Sequence, residues 1–112
     1  MKVIAINGSP RKNWNIHKLL NAALEGAKSM GAETEIIHLY DLNYTGCRSC
    51  FACKRKGLQT AKCFWKDDLS PVIDKILSSD AVIFGSPIYV NDITAQLHAL
   101  IERLEFIMMT YD

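Results

Sequence analysis

The stretch Lys2-Val3-Ile4-Ala5-Ile6-Asn7-Gly8-Ser9-Pro10-Arg11-Lys12 decides how the rest of the sequence is interpreted. Its first six residues form a short Val/Ile run that stops at Gly8, which is typical of a buried parallel strand. From Ile16 to Met30 apolar residues recur at helical spacing, and Gly31 predicts the end of that helix. The sequence therefore starts with a strand, a polar loop and an amphipathic helix.

The alternation of strand and helix continues along the chain. Glu33 to Leu39 is predicted to be a second strand, and the fully apolar run Ala81 to Gly85 a third. Strands that alternate with helices through right-handed crossovers form an open parallel sheet of the doubly wound kind, with three α/β/α layers. We expect a single domain over residues 1–112, with ligands bound at the carboxyl ends of the strands.

The two later helices have recognisable starts. One is predicted to begin at Asp67-Asp68 and to carry Pro71 in its first turn, where the missing N–H group costs little. The last helix is predicted to follow a cap at Asp92 or Thr94. Residues 40–66 show no sustained period and are predicted to be a long functional loop with a helical turn inside it.

Composition excludes several classes of protein. The 112 residues are 49% hydrophobic and 22% charged, which argues against a disordered chain. The 13 basic and 12 acidic residues give a formal net charge of +1, so no bulk field favours nucleic acid or membrane as a partner. The sequence opens directly on a strand pattern, without the apolar core of a signal peptide, and we expect a cytoplasmic protein.

The first loop, residues 8–15, combines a glycine, hydroxyl and amide groups and two cations at a helix N-terminus. A phosphate monoester is bound by such a set, because backbone N–H groups, the helix dipole and a charged clamp all favour an anion. In the alternative interpretation the loop is an ordinary solvated turn, in which Ser9 and Asn15 are caps and Arg11 is exposed.

The loop after the third strand reads Gly85-Ser86-Pro87-Ile88-Tyr89-Val90-Asn91-Asp92. Its tyrosine offers a flat apolar face beside polar groups, which suits a planar ring. Alternatively, Ile88 and Tyr89 only cover the end of the sheet.

The four cysteines form the pattern Cys47-x2-Cys50-x2-Cys53-x9-Cys63. Thiolates at this density can hold an iron–sulfur cluster or zinc, or they can remain free thiols with an occasional disulfide. Six of the 13 basic residues lie in the same window, between positions 48 and 66. Beside Phe51, Phe64 and Trp65 they could be taken for a nucleic-acid patch, but the neutral total charge favours a solvated loop near a cofactor.

Taken together, these motifs resemble the NADPH-dependent FMN reductase and iron–sulfur flavoprotein branch of the flavodoxin-like fold. The resemblance extends to Ala95-Gln96-Leu97 and covers essentially the whole chain. It implies that FMN is the cofactor and that Ser9, Arg11 and Asn15 hold its phosphate. The full implied set of FMN-binding residues is Ser9, Arg11, Lys12, Asn15, Ile16, Pro87, Ile88, Tyr89 and Asn91. It also implies a [4Fe-4S] cluster on Cys47, Cys50, Cys53 and Cys63.

The sequence departs from the family pattern at several places. Trp14 and Ile16 replace a small residue and a hydroxyl, Val90 replaces an aromatic, and the gap before Cys63 is longer than usual. The resemblance implies strand order 2-1-3 for the N-terminal part of a five-stranded sheet, whose last two strands this chain lacks. The third strand then becomes an open edge, so we expect either a homo-oligomer or a fragment of a longer protein.

The predicted function is that of an FMN-binding oxidoreductase. In the reductase version NAD(P)H is the substrate that gives hydride to flavin N5; in the iron–sulfur version a protein donor supplies single electrons. The partners implied are small-molecule or protein electron donors and acceptors, and no acid–base dyad or activated nucleophile is predicted. The alternative is a non-enzymatic truncated scaffold that binds a metal or a partner through the cysteine loop.

Overall fold

The computed structural model describes residues 1–55 and 62–109, which form a three-stranded parallel sheet flanked by helices. The strands are β1 (Lys2–Asn7), β2 (Glu33–His38) and β3 (Ala81–Gly85), in the order β2-β1-β3. The helices are α1 (Asn15–Ser29), α2 (Leu69–Ser78) and α3 (Ala95–Met108). This confirms the predicted flavodoxin-like α/β architecture and its strand order.

The middle strand, β1, explains why the sheet is covered on both faces. Val3 and Ala5 pack with Leu20 and Leu24 of α1, on one face of the sheet. The alternate residues point the other way, into a larger cluster with α2 and α3: Ile4, Ile6, Ile37, Leu39, Leu69, Val72, Ile73, Leu97, Leu100, Leu104 and Ile107. Successive side chains of a strand face opposite sides, so a continuous apolar run needs cover on both.

Most element boundaries fall where the sequence places them. β2 ends at His38, one residue before the predicted end, because Leu39 begins a short 3₁₀ turn that runs to Asp41. A second 3₁₀ turn, Ala52–Lys54, is the helical turn expected inside the long loop. Residues 56–61 of that loop lie outside the described residues. Among the helices described, none is both long and apolar enough to span a bilayer.

The strand β3 forms one edge of the described sheet. Phe84 is 44% exposed, and β3 pairs with β1 on one side only. Although its residues are apolar, β3 lies at an edge of the described sheet, as the resemblance implied for the third strand.

Candidate functional site

The first loop is held in shape by a buried asparagine at the end of β1. Asn7 is fully buried, and its Oδ1 accepts a hydrogen bond from the backbone N–H of Ser9 at 2.9 Å. Its amide nitrogen lies 3.0 Å from Nδ1 of His38, which joins the carboxyl ends of β1 and β2. The hydroxyl of Ser9 in turn accepts from the N–H of Arg11 at 3.1 Å. The loop is therefore an organised turn and not a loose connection.

The N-terminus of α1 is open and electropositive. Trp14 precedes the helix without a capping hydrogen bond from its side chain, and no acidic residue lies in the first helical turn. The first N–H groups of a helix have no partner within the helix, so here they remain available to an external anion. The guanidinium of Arg11 stacks over the Trp14 ring at 4.1 Å from its centroid, close to this helix end.

Two other residues predicted to bind FMN, one on this loop and one at the start of α1, have defined partners of their own. The ammonium group of Lys12 lies 2.7 Å from a carboxylate oxygen of Asp41, and both side chains are about half exposed. Such an exposed pair contributes little stability and opens easily. Ile16 is partly buried and packs with the core cluster under α1, beneath Gly85. Its side chain thus also serves the packing of α1 on the sheet.

Two hydrogen bonds fasten the first loop to the segment after β3, and a third holds that segment together. The N–H of Gly8 donates to the carbonyl of Gly85 at 2.8 Å. The hydroxyl of the fully buried Thr94 donates to the carbonyl of Gly8 at 2.7 Å, and its N–H donates to Ser86 Oγ at 3.0 Å. The same hydroxyl caps α3 by accepting from Leu97. Thr94, rather than Asp92, is thus the cap of this helix.

A tight turn presents the apolar residues that follow β3. Tyr89 and Asp92 exchange backbone hydrogen bonds, while Val90 and Asn91 between them have φ angles of 52° and 62°. Two consecutive left-handed residues define a type I′ turn. Ile88 is 78% exposed and Tyr89 44% exposed. Large apolar side chains therefore project from the carboxyl edge of the sheet, beside the first loop.

The four cysteines line one small cavity of about 20 Å³. Its remaining wall is largely apolar and comes from the long loop and α3: Gly46, Arg48, Phe51, Phe64, Trp65, Arg103, Phe106 and Ile107. None of the four is in a disulfide, and burial raises the pKa of the Cys53 thiol. In residues 1–55 and 62–109, however, no group of three or more His, Cys, Asp or Glu side chains could hold a metal ion. The donor chemistry suits an iron–sulfur cluster, although the thiols do not converge on one point.

The cysteine loop is attached to α3 at both of its described ends. The N–H of Cys47 donates to Glu102 at 3.0 Å, and the ammonium group of Lys54 donates to the carbonyls of Phe106 and Met109 at the end of α3. The buried Arg103 makes the contacts to Cys63 and its neighbours. Because all these contacts are made with α3 and its C-terminal end, α3 fixes the position of the described part of the loop.

Arginine side chains of the cysteine loop stack over its aromatic rings. Arg48 lies over Trp65 at 4.2 Å from the ring centroid, and Arg55 lies over Phe64 at 5.3 Å. These cation–π contacts place positive charge around the mouth of the cysteine cavity. They also cover the aromatic faces that the nucleic-acid interpretation would have left free for stacking bases.

The structure brings the predicted residues together in two places. Ser9, Arg11, Lys12 and Asn15 lie on the loop that is hydrogen-bonded to the segment bearing Pro87, Ile88, Tyr89 and Asn91, whereas the cysteines line their own cavity. Sequence reasoning gave no role at the site to two buried polar residues, Asn7 and Arg103, and predicted Thr94 only as a helix cap. Each had a signal in the sequence, namely a polar or charged residue that ends or interrupts an apolar pattern.

Comparison with known proteins gives the family. Residues 1–111 match the family model described as NADPH-dependent FMN reductase. The chain belongs to this family. Among curated proteins, an iron–sulfur flavoprotein of Methanosarcina thermophila is 36% identical over 103 residues, and one of Methanocaldococcus jannaschii is 40% identical over 103 residues. Each match covers 92% of this chain, but only 52% of the first relative and 51% of the second.

Solved structures agree with this family assignment. A flavone reductase superposes with a TM-score of 0.69 at 29% identity, over 92% of this chain and 29% of its own. The NAD(P)H:quinone oxidoreductase from Methanothermobacter marburgensis superposes with a TM-score of 0.70 at 25% identity, over 93% of this chain and 52% of its own. This member of the FMN reductase family thus spans about half the length of the curated relatives it matches.

Proposed function

We propose that this chain forms the FMN-binding part of an oxidoreductase, with the flavin at the carboxyl edge of the sheet. The observation that carries the proposal is the hydrogen-bonded junction of the two loops at Gly8, Gly85 and Thr94. It sets an open helix N-terminus beside exposed apolar side chains, and FMN is a phosphate monoester joined to a planar ring. Family membership supports the same cofactor, and the two structural neighbours are named as a reductase and an oxidoreductase.

The phosphate would be held by the first loop. The hydroxyl of Ser9, the guanidinium of Arg11, the amide of Asn15 and the N–H groups of the first helical turn are the donors, while Lys12 adds positive charge from its exposed pair with Asp41. Ile16 would support the loop from beneath through its packing under Gly85.

The isoalloxazine ring would lie against Pro87, Ile88, Tyr89 and Asn91. Ile88 and Tyr89 expose apolar surface that costs free energy in water, so a planar ring that covers it gains hydrophobic stabilisation. The type I′ turn fixes the direction of Tyr89, which reduces the ordering cost of binding. When bound, FMN supplies the hydride and single-electron chemistry, and the protein positions it.

The cysteines would form a [4Fe-4S] site, as the names of the iron–sulfur flavoprotein relatives suggest. Cys47, Cys50, Cys53 and Cys63 line one cavity, and the guanidinium group of Arg48 beside it supplies positive charge that favours thiolate ligands and an anionic cluster. NAD(P)H or a small protein carrier would be the electron donor. We further propose a cytoplasmic location and a homo-oligomer in which a second copy covers the β3 edge.

The phosphate assignment can be tested by titrating the chain with FMN and with riboflavin, which lacks the phosphate. We expect Arg11→Ala to weaken FMN binding about 10- to 100-fold, the loss of a charge-assisted hydrogen bond of about 1.5–3 kcal/mol. Riboflavin binding should not change. Lys28→Ala, an exposed cation in the last turn of α1, is the matched control and should bind both flavins as the wild type does.

Two outcomes would contradict the proposal. If Arg11→Ala binds FMN as tightly as the wild type, the first loop is not the phosphate site. If the folded wild type takes up neither flavin, the enzyme interpretation fails and the chain is better described as a scaffold that acts through its cysteine loop.

A further inference from the structure

The geometry points to Arg103 as the residue that positions Cys63 toward the cysteine cavity. Arg103 is 2% exposed and lies in the apolar stripe of α3, between Leu100 and Leu104. A buried guanidinium is costly unless charged and polar partners surround it, and such a residue seldom persists in a core without a specific task.

The contacts of Arg103 gather the residues on both sides of the cysteine motif. Its Nη1 donates to Asp67 Oδ2 at 2.6 Å and to the carbonyl of Thr45 at 3.3 Å. Its Nη2 donates to the carbonyl of Trp65 at 3.2 Å and lies 3.5 Å from Cys63 Sγ. Residues 45 and 63–67 are distant in sequence, and this single side chain contacts both segments.

One nitrogen of this guanidinium has no partner among the described residues. Nε of Arg103 is buried and makes no hydrogen bond there, and Arg103 itself lines the cavity that the thiols share. An ion pair with Asp67 alone would explain the burial of the charge. It would not explain a second nitrogen directed at a sulfur or the unsatisfied donor at the cavity wall, both of which suit a site that receives electron-rich sulfur.

Lysine cannot reproduce this arrangement. A lysine at position 103 keeps the positive charge and can pair with Asp67, but its single ammonium group lacks the planar fork that reaches Asp67 and Cys63 at once. The Arg103→Lys variant therefore distinguishes two roles of Arg103: a partner in a structural ion pair, and a residue that orients the Cys63 thiol. Arg48→Lys is the matched control, because Arg48 lines the same cavity but is exposed.

The first experiment uses the chain without metal and measures iodoacetamide alkylation of each cysteine by mass spectrometry. In Arg103→Lys we expect Cys63 to react about fivefold faster relative to Cys50, as expected when one hydrogen bond that restrains the thiol is lost. Arg48→Lys should keep the wild-type ratio. An unchanged ratio in a folded Arg103→Lys variant would overturn the inference and leave Arg103 as a structural ion pair.

A second measurement covers the case in which Arg103→Lys does not fold. Cys63→Ala removes core contacts and also the sulfur that Nη2 approaches, so it should lower the thermal midpoint about 4 °C more than Cys53→Ala, which removes core contacts at an equally half-buried position. Equal midpoints for the two variants would overturn the inference without any need for the arginine variant.

A third measurement rests on the proposed iron–sulfur function and is read separately. After anaerobic reconstitution with Fe²⁺ and sulfide, Arg103→Lys should retain iron against a chelator about tenfold less well than wild type, because outer-sphere partners tune affinity by about that factor. If the wild type binds no iron, the proposed cluster fails, and the alkylation ratio still decides the role of Arg103. Iron retention equal to wild type in Arg103→Lys would count against that role.

Discussion

The junction between the two loops can be tested by adding one methyl group at Gly8. A Cβ there would lie 3.0 Å from the carbonyl oxygen of Gly85, 3.1 Å from Leu97 Cβ and 3.3 Å from Thr94 Oγ1. The first two are a backbone atom and the first atom of a side chain, so neither can rotate away. Gly8→Ala must therefore push the loops apart.

The magnitude follows from the contacts that would be disturbed. Overpacking of a well-packed region costs about 1–3 kcal/mol. Displacement of Gly8 also weakens its two hydrogen bonds, of 2.8 Å to Gly85 and 2.7 Å from Thr94, each with a net value of about 1 kcal/mol. We expect Gly8→Ala to lower the free energy of unfolding by about 2–4 kcal/mol.

The same chain contains a matched control. Gly26 lies inside α1, and a Cβ added there meets nothing within 4 Å. Gly26→Ala should raise the free energy of unfolding by about 1 kcal/mol, because glycine is a poor helix former. The two substitutions have the same chemistry and opposite expected signs.

Urea unfolding followed by circular dichroism measures both effects, and the midpoint should fall for Gly8→Ala and rise for Gly26→Ala at an unchanged slope. FMN titration of the same samples then tests the site, since displaced loops should bind FMN more weakly. A Gly8→Ala variant as stable as wild type would refute the close approach of the loops. A destabilised variant with unchanged FMN affinity would refute the link between this junction and the flavin.

Three further substitutions test single features. Val90→Asn should raise the free energy of unfolding by about 1 kcal/mol in urea unfolding, because the exposed, β-branched Val90 has a left-handed backbone that asparagine tolerates; a loss of stability would contradict the type I′ turn. Thr94→Val should lower the thermal midpoint by several degrees, since it removes both the cap of α3 and the bond to Gly8; an unchanged midpoint would count against both contacts. Burial lowers the pKa of His38 below its ordinary value of 6.5, so the unfolded chain binds more protons and the free energy of unfolding should fall as the pH drops below about 6.5. The His38→Gln variant should lose less free energy of unfolding than the wild type between pH 7 and pH 5. Equal losses would exclude this role of His38.

Much of the fold could be predicted because local periodicity carries it. The apolar run of β1 required cover on both faces, and the helical stripes of α1, α2 and α3 supplied it. The strand order came from the resemblance rather than from the pattern, and the structure confirms it. Pro71 and Thr94 fall where their chemistry places them, in the first turn of α2 and at the cap of α3.

The parts that escaped prediction depend on contacts between distant residues. Arg103 resembles an interruption of an apolar stripe until Asp67, Cys63 and Thr45 are seen around it. The type I′ turn was equally hidden, because valine at position 90 does not favour a left-handed backbone. Local patterns report which residues are buried; they do not report which buried polar groups meet.

The two proposed cofactor regions share one rigid spacer. Thr94 caps α3 beside the two loops, and Arg103 lies nine residues later beside the thiols, a rise of about 14 Å along a helix. The number of residues in α3 between these positions therefore sets the distance between the two regions, whatever the conformation of the long loop. Changes of sequence in either loop can alter binding at one end while the distance to the other end stays constant, which lets the two chemistries diverge independently in evolution.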